Sequence, residues 1–396
     1  MIGPSARARR LPVYAVGEIA ERKRRLLADG VDVIDLGAGD ADLAPPAIAV
    51  ETLYRSAQET SNSRYAFQLG LVAFREAVGR FMERRFGVAV DPMTEVLPLI
   101  GSKEGLAHLP FAVLDPGDVC VVPEPGYPAY LGGSLLAGAD VEIFPLTAES
   151  GFLVELDTLP PERLTRTKLV YLNYPNNPTA AIAPADYLRR TIAVCCKHDI
   201  VLAYDNPYSE LTFDGYQAPS ILEFPGAMDV AVEFHSLSKS FGMTGWRLAW
   251  ATGNSEVLRA LSKVKSYFDT GAFLAVQHAG AAVVDRAEEL VAPVRDEFCV
   301  RRDALVNALR DVGVECEPPQ ATMYLWVPLP DRVASGAFAR DLLEREGLAV
   351  LAGSVFGAGG EGFVRLSFIV APDRMREAAR RMARVLHTAV ATGDGP

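Results

Sequence analysis

Lysine is scarce in this chain. Its 396 residues include seven lysines against thirty-two arginines, and most of the seven stand in charged, solvated stretches such as Glu21-Arg22-Lys23-Arg24. Basic residues are outnumbered by acidic ones, 39 to 50, for a formal charge of −11. That balance argues against a nucleic-acid partner, because phosphate backbones demand a concentrated basic surface. Cysteine is sparse and odd in number. Cys120, Cys195, Cys196, Cys299 and Cys316 show no metal-ligand spacing, so reduced, mostly core thiols, no metal and a cytoplasmic location are expected. No apolar run approaches the length of a membrane span. The basic stretch of residues 1–10 leads into Leu11-Pro12-Val13-Tyr14 rather than the apolar core of a signal peptide. Internal repeats and low-complexity linkers are absent as well.

What remains is an ordinary globular composition, 49% hydrophobic and 22% charged. Its length exceeds that of a usual single domain, which predicts a large domain and a smaller one around a cleft. Residues 11–30 carry an amphipathic helical pattern, and residues 31–36 read as a strand ending in Gly37-Ala38-Gly39-Asp40. A dinucleotide-binding turn is excluded there, because Asp42 replaces the third glycine and Pro45-Pro46 interrupts the helix that should follow. Gly39 is better read as a tight, substrate-facing turn. From about residue 45 to 285, apolar runs at 95–100, 118–122, 141–144, 168–172, 200–204, 230–235 and 248–251 alternate with helical stretches such as 69–86, 184–198 and 255–267. This alternation predicts an α/β fold with a largely parallel sheet and helices on both faces. The last hundred residues change character. A long helix over 281–311, strands at 322–327 and 363–369, and helices at 334–346 and 373–388 predict a smaller α+β domain. The expected division is 1–44 for an N-terminal arm that also completes the small domain, 45–285 for the large domain and 286–396 for the small one.

One lysine escapes the solvated pattern. Lys239 follows the apolar run 230–235 in Ser236-Leu237-Ser238-Lys239, and Thr244-Gly245-Trp246-Arg247 closes the same segment. Burial lowers an amine's proton affinity and makes it a nucleophile. Beside two hydroxyls and a guanidinium, such an amine can form an imine with a phosphorylated aldehyde, and pyridoxal 5′-phosphate (PLP) is one. Gly101-Ser102-Lys103-Glu104-Gly105, between a strand and a helix, would add backbone donors and a helix dipole for the phosphate. Asp205, ending the run 200–204, can pair with a protonated ring nitrogen and keep the ring an electron sink. Tyr208, and Asn177 in the rigid loop Asn173-Tyr174-Pro175-Asn176-Asn177-Pro178-Thr179, are placed to reach the ring oxygen. Tyr127 in Pro125-Gly126-Tyr127-Pro128 can stack on the ring. Arg365 interrupts the apolar strand Phe363-Val364-Arg365-Leu366-Ser367-Phe368, and its planar fork suits a substrate carboxylate. Each has a plainer reading, whether as solvated lysine, helix-cap aspartate, turn asparagine, core tyrosine or structural ion pair.

With Asn177, Asp205, Tyr208, Lys239 and Arg247 in this order and spacing, the chain resembles the fold-type I PLP-dependent aminotransferases of class I/II over nearly its full length. Within them it is most similar to the LL-diaminopimelate aminotransferase group, through Leu11-Pro12-Val13-Tyr14, Ile34 to Asp40, Gly101 to Pro110, Tyr174 to Thr179 and Glu233 to Lys239. The resemblance implies transfer of an amino group between an amino acid and a 2-keto acid by a ping-pong cycle, with Lys239 as imine anchor and proton shuttle and Arg365 on the substrate carboxylate. It also implies a homodimer with shared active sites, in which Tyr65 serves the neighbouring subunit's phosphate, and places Tyr14, Gly39 and Lys103 near the substrate. Four positions depart from the subgroup's pattern. Ala41 and Ala44 stand for prolines, Ala180 for a glycine, and Tyr267, in Lys265-Ser266-Tyr267-Phe268-Asp269-Thr270-Gly271, for an asparagine. The same cofactor chemistry also serves elimination or replacement at Cβ or Cγ and C–C bond formation, so a PLP enzyme of specialised metabolism is the other enzymatic reading. An effector-sensing regulator would need a DNA-binding segment, for which no room is expected before Leu11, and a structural role leaves Lys239, Asp205 and Arg247 unexplained.

Overall fold

The computed structural model describes residues 3–12, 16–40, 42–67 and 69–393. Tyr14 and Ala41 therefore lie outside the described residues. In chain order the first strands are β1 (Ile34–Asp35), β2 (Val96–Leu99), β3 (Val119–Glu124), β4 (Asp140–Pro145), β5 (Thr167–Asn173), β6 (Val201–Asp205), β7 (Ala231–Ser236) and β8 (Ala249–Gly253). All seven apolar runs between residues 95 and 251 become strands of one sheet, ordered β2-β8-β7-β6-β5-β3-β4. Only β8 runs against its neighbours. Both faces are covered. Val170, Leu172, Leu202 and Tyr204 pack into one core with Phe74, Phe81 and Ile192, while Leu169, Tyr171 and Ala203 pack into another with Leu106, Leu109 and Leu261. Burial on both sides is why these strands read as continuous apolar runs rather than alternating ones. Their C-terminal ends bring Glu124, Asn173, Asp205 and Ser236 to one edge of the sheet, and β2 leads through Gly101 into the helix Ser102–Val113 at that edge. Ligands of open α/β sheets bind there.

A second core gathers the two ends of the chain. Ile34 and Leu36 pack with Phe298, Leu305, Leu325, Leu348, Leu366 and Met375. β9 (Tyr324–Pro328) and β12 (Phe363–Ser367) match sequence expectations within a residue or two, whereas β10 (Leu348–Ala349) and β11 (Leu351–Ala352) are too short to leave a sequence signal. β1 pairs parallel with β10, Ile34 opposite Leu348, and β11, β12 and β9 form an antiparallel sheet that sets Arg365 between Leu351 and Trp326.

Three expected elements change. The helix expected over 281–311 is two, Leu274–Val284 and Ala287–Asp311. Arg84 donates to the carbonyls of Val284 (3.3 Å) and Asp285 (3.2 Å), satisfying groups that a helix end leaves open. Arg80 grips the Asp285 carboxylate with two bonds of 2.9 Å. Beyond the break, Glu288 and Glu289 occupy the first turn of the next helix, where its dipole favours negative charge. Of residues 11–30, the helix occupies Val16–Ala28, preceded by the short helix Ala6–Arg10. The strand expected over 31–36 narrows to β1, because its partner β10 offers only two residues to pair with.

One ion cluster ties the β2 edge to the loop that follows the helix Ser255–Lys265. Lys265 is fully buried, with its Nζ 2.8 Å from both Asp269 carboxylate oxygens and 3.1 Å from Glu104 Oε2. Glu104 also accepts from the Ile100 amide (3.1 Å) and meets His108 Nδ1 at 3.0 Å, and Asp269 accepts from the Gly271 amide at 2.6 Å. Ligand atoms of Glu104, His108 and Asp269 lie within 4.8 Å of one another, the spacing of a metal site. The Lys265 ammonium already occupies the space between the two carboxylates and offsets part of their charge. Replacing one partner of a buried pair strands the other, so Lys265→Met is expected to lower stability by roughly 3–5 kcal/mol in chemical denaturation. A loss under about 1 kcal/mol would show that solvent already screens the cluster.

Candidate active site

A cavity of about 320 Å³ lies between the C-terminal edge of the large sheet and the second core. Gly37 to Asp40, Ser102, Tyr127, Asn177, Asp205, Tyr208, Lys239, Tyr324 and Arg365 all line it. Most of the expected site thus converges on one space. Lys239 sits on the four-residue helix Leu237–Ser240 immediately after β7, half-buried, and its Nζ donates to the Gly39 carbonyl. Gly39 is closely approached. A Cβ there would stand 2.9 Å from the Tyr324 hydroxyl and 3.7 Å from Lys239 Nζ.

Asp205 ends β6 with only one of its oxygens occupied. Oδ2 accepts from the Tyr130 hydroxyl at 2.6 Å; Oδ1 is buried and has no hydrogen-bond partner. Asn173 fixes the same turn by donating to the Asp205 carbonyl at 2.7 Å. Burial pushes the carboxyl up to about 7, with the Tyr130 bond and the charges of His235 and Lys239 opposing it only in part. Tyr130 stacks on Tyr171 at 4.6 Å, and the Tyr171 hydroxyl is held by the Leu106 carbonyl at 2.8 Å.

At one end of the cavity the chain builds an anion corner. Gly101 has φ of +80° before the helix Ser102–Val113, and a Cβ there would lie 1.9 Å from Arg247 Nη2, so only glycine fits. Arg247, itself left-handed at φ +53°, donates to the Thr244 carbonyl (2.7 Å) and the Ser238 hydroxyl (3.5 Å). Ser236 Oγ accepts from the Ser238 amide at 3.1 Å. Exposed Lys103 reaches over Tyr127, its Nζ 6.0 Å from the ring centre. Lys103, Ser236, Ser238 and Arg247 are not among the residues that line the cavity.

At the other end, Arg365 is buried and donates to Asn177 Oδ1 and to the Gly37 carbonyl, each at 2.8 Å. Asn177 and Arg365, singled out separately in the sequence, are one unit. Two tyrosines of the site were missed, one beside Arg365 and one bonded to Asp205. Tyr324 lies beneath the Arg365 guanidinium, 4.0 Å from ring centre to Cζ, and its hydroxyl is 3.0 Å from that of Tyr208. In the sequence it reads as a strand tyrosine. Tyr130 follows Tyr127 by three residues at the start of the helix Pro128–Ala137, a spacing that puts both near one face and was the available signal. Tyr65, 72% exposed, and Tyr267, 87% exposed, are not brought to the cavity of this chain. Ala180 takes a left-handed φ of +60° that an L-residue adopts at a cost of about 1–2 kcal/mol.

The family described as aminotransferase class I and II matches residues 31–382. This chain belongs to that family. The LL-diaminopimelate aminotransferase of Moorella thermoacetica is 43% identical over 96% of this chain and 97% of its own length, and that of Syntrophobacter fumaroxidans is 44% identical over 96% and 98%. Among solved structures, apo-BacF from Bacillus subtilis superposes with a TM-score of 0.93 at 32% identity, covering 97% of this chain and 98% of its own. A probable N-succinyldiaminopimelate aminotransferase from Thermus thermophilus gives 0.89 at 36%, covering 94% of this chain and all of its own. The chain is therefore a PLP-dependent aminotransferase of the fold-type I α/β architecture, with amino acids and keto acids as substrates.

The residues of this aminotransferase fit PLP. The unpartnered Oδ1 of Asp205 is a buried acceptor awaiting a ring N–H donor, and the Gly101 turn with Arg247 leaves a cationic corner for a phosphate dianion. The Asp205 carboxyl also sets a pH dependence. Its folded value lies above the ordinary one, so the folded apoprotein holds a proton that the unfolded chain releases. Stability is present below about pH 4 and lost as pH rises to about 7. In the apoprotein, Asp205→Asn is expected to match wild type near pH 4 and to exceed it by a few kcal/mol, to order of magnitude, near pH 8 in urea denaturation. Equal stability at both values would mean that the carboxylate ionises without cost.

Proposed function

We propose that the amino donor is an amino acid of the diaminopimelate kind and that the acceptor is a 2-keto acid. One observation carries the assignment of roles: Lys239, the unpartnered oxygen of Asp205 and the Arg365 guanidinium face a single cavity. PLP, when bound, supplies the aldehyde that captures the amine and the ring that draws electrons from the substrate's α-carbon. Lys239 Nζ is the base for the Cα proton, since it is the only lysine amine lining the cavity among the described residues. Asp205 holds a proton on the ring nitrogen, and Tyr208 and Asn177 serve the ring oxygen. Arg365 takes the substrate carboxylate, kept rigid by Asn177 and Gly37. Ser102, Lys103, Ser236, Ser238 and Arg247 hold the phosphate, Tyr127 covers the ring, and Gly39 and Lys103 border the substrate. The names of both curated relatives, and of one structural neighbour, support the diaminopimelate class. Ala180 and Tyr267 alter the rim, which leaves room for a related amino acid.

A homodimer is part of the proposal. Tyr65, Phe67, Tyr267 and Phe268 are between 55% and 87% exposed, and the Tyr65 and Phe67 rings lie 6.0 Å apart. The two segments touch, since a Cβ on Gly271 would meet the Phe67 carbonyl at 2.3 Å. Such a contiguous aromatic patch suits a second copy, which would bring Tyr65 to its neighbour's phosphate site. The division at 44/45 and 285/286 is proposed as well, supported by a second core drawn from both chain ends; limited proteolysis should cut near those joints rather than inside the large sheet. Five cysteines outside any disulfide support a cytoplasmic location, to be checked by cell fractionation.

Visible absorbance of the PLP-loaded protein tests the function. LL-diaminopimelate, glutamate and other amino acids are added singly without a keto acid. Bleaching of the band by diaminopimelate, reversed by a keto acid, is the expected result; bleaching by a different amino acid alone would reassign the donor, and a new product formed without any acceptor would indicate elimination or replacement. Lys239→Ala should lose both the band and borohydride fixation, with turnover falling by at least about 10³-fold. Sedimentation at micromolar concentration should return twice the chain mass; a single-chain mass would remove the dimer.

A further inference from the structure

Four charged side chains line the cavity among the described residues: Asp40, Asp205, Lys239 and Arg365. Three of them already have proposed roles, and Asp40 is left over. Two other acids flank the same turn, and the fold has engaged both. Asp35 accepts from the Gly37 and Ala38 amides at 2.9 and 3.1 Å and pairs with Lys23, while Asp42 pairs with Arg301 at 2.6 Å. Asp40 has no hydrogen bond or ion pair among the described residues and stands exposed in the cavity wall. We propose that Asp40 is a specificity-determining residue whose carboxylate receives a second ammonium at the far end of the substrate's side chain. The inference rests on Arg365 as the α-carboxylate site and on a donor of the diaminopimelate kind.

The order of contacts along the turn points to this role. The Gly37 carbonyl holds Arg365 at 2.8 Å, the group that takes the α-carboxylate. The Gly39 carbonyl holds Lys239, the group that acts at the α-carbon, and a Cβ on Gly39 would stand 3.7 Å from that amine. Asp40 follows one peptide further, its Cα about 3.8 Å from that of Gly39. Carboxylate, α-carbon and side chain of a bound amino acid are thus met in turn by residues 37, 39 and 40. Leu351, Val355 and Phe356 give the same cavity an apolar stretch of wall that suits methylenes. An ammonium beyond those methylenes finds in Asp40 a carboxylate with no internal cation competing for it, and a carboxylate alone at that end is repelled. Because Asp40 is exposed, the preference is modest and weakens with salt.

The experiment uses the PLP-loaded protein and two donors that differ only in the far amine, LL-diaminopimelate and L-2-aminopimelate. Bleaching rates of the visible band over a range of donor concentrations give a selectivity ratio for wild type, Asp40→Asn and Asp40→Glu. Wild type should favour diaminopimelate. Asp40→Asn should cut the ratio by about fivefold at low salt, through the concentration needed for half-maximal rate rather than through the maximal rate. Asp40→Glu should keep most of the preference. Added salt should erode the ratio in wild type but not in Asp40→Asn, a response that a merely structural role would not produce. An unchanged ratio in Asp40→Asn overturns the assignment, as does a wild type that reacts equally well with both donors. If neither donor bleaches the band while another amino acid does, the diaminopimelate reading fails first and takes the role of Asp40 with it.

Discussion

The site is organised around a carboxylate that the fold buries and only half satisfies. Asp205 stands at the end of a strand inside the sheet, where water cannot solvate its charge, and the protein supplies a donor to one oxygen and none to the other. A buried acceptor without a partner is destabilising by itself. The surrounding structure fixes it regardless: Asn173 holds its backbone, and the stacked pair of Tyr130 and Tyr171 prevents the bonded oxygen from turning away. Cavity, anion corner and Lys239 are then positioned relative to this one group by the common edge of the parallel strands.

How much of this could be read from sequence depended on where each signal was stored. The large sheet was legible because strands covered on both faces leave unbroken apolar runs, and its polar residues stood out as interruptions at their ends. Asp205, Ser236 and Lys239 belong to that class. Arg365 was visible as a charge inside an apolar strand, but its bond to Asn177 spans 188 residues and no local pattern encodes it. Tyr324 and Tyr130 were hidden because a tyrosine in a core looks the same whether its hydroxyl is idle or functional. The helix break at residues 285 and 286 was equally hidden, since both are compatible with a helix. Arg80 and Arg84, two hundred residues earlier, decide it.

Scarcity of lysine sharpens the division of labour among cations. Arginine carries the surface and inter-element pairs, as where Arg374 and Arg381 both hold Asp32 well below the usual carboxylate range. Its forked geometry suits such fixed contacts. Two lysines depart from this pattern: Lys239 lines the cavity, and buried Lys265 is a point charge between two carboxylates.

The turn at Gly37 to Asp40 has a further consequence. Its carbonyls at Gly37 and Gly39 are bonded to Arg365 and Lys239 respectively, so two peptide groups of one turn act as placeholder ligands for the two basic side chains to which the proposed function gives substrate capture. A neutral carbonyl keeps each cation oriented yet yields to a full negative charge or to a covalent partner. The turn thus pre-aligns both side chains. Because both placeholders sit on one short segment from the chain's N-terminal end, any displacement of that segment would release both cations together.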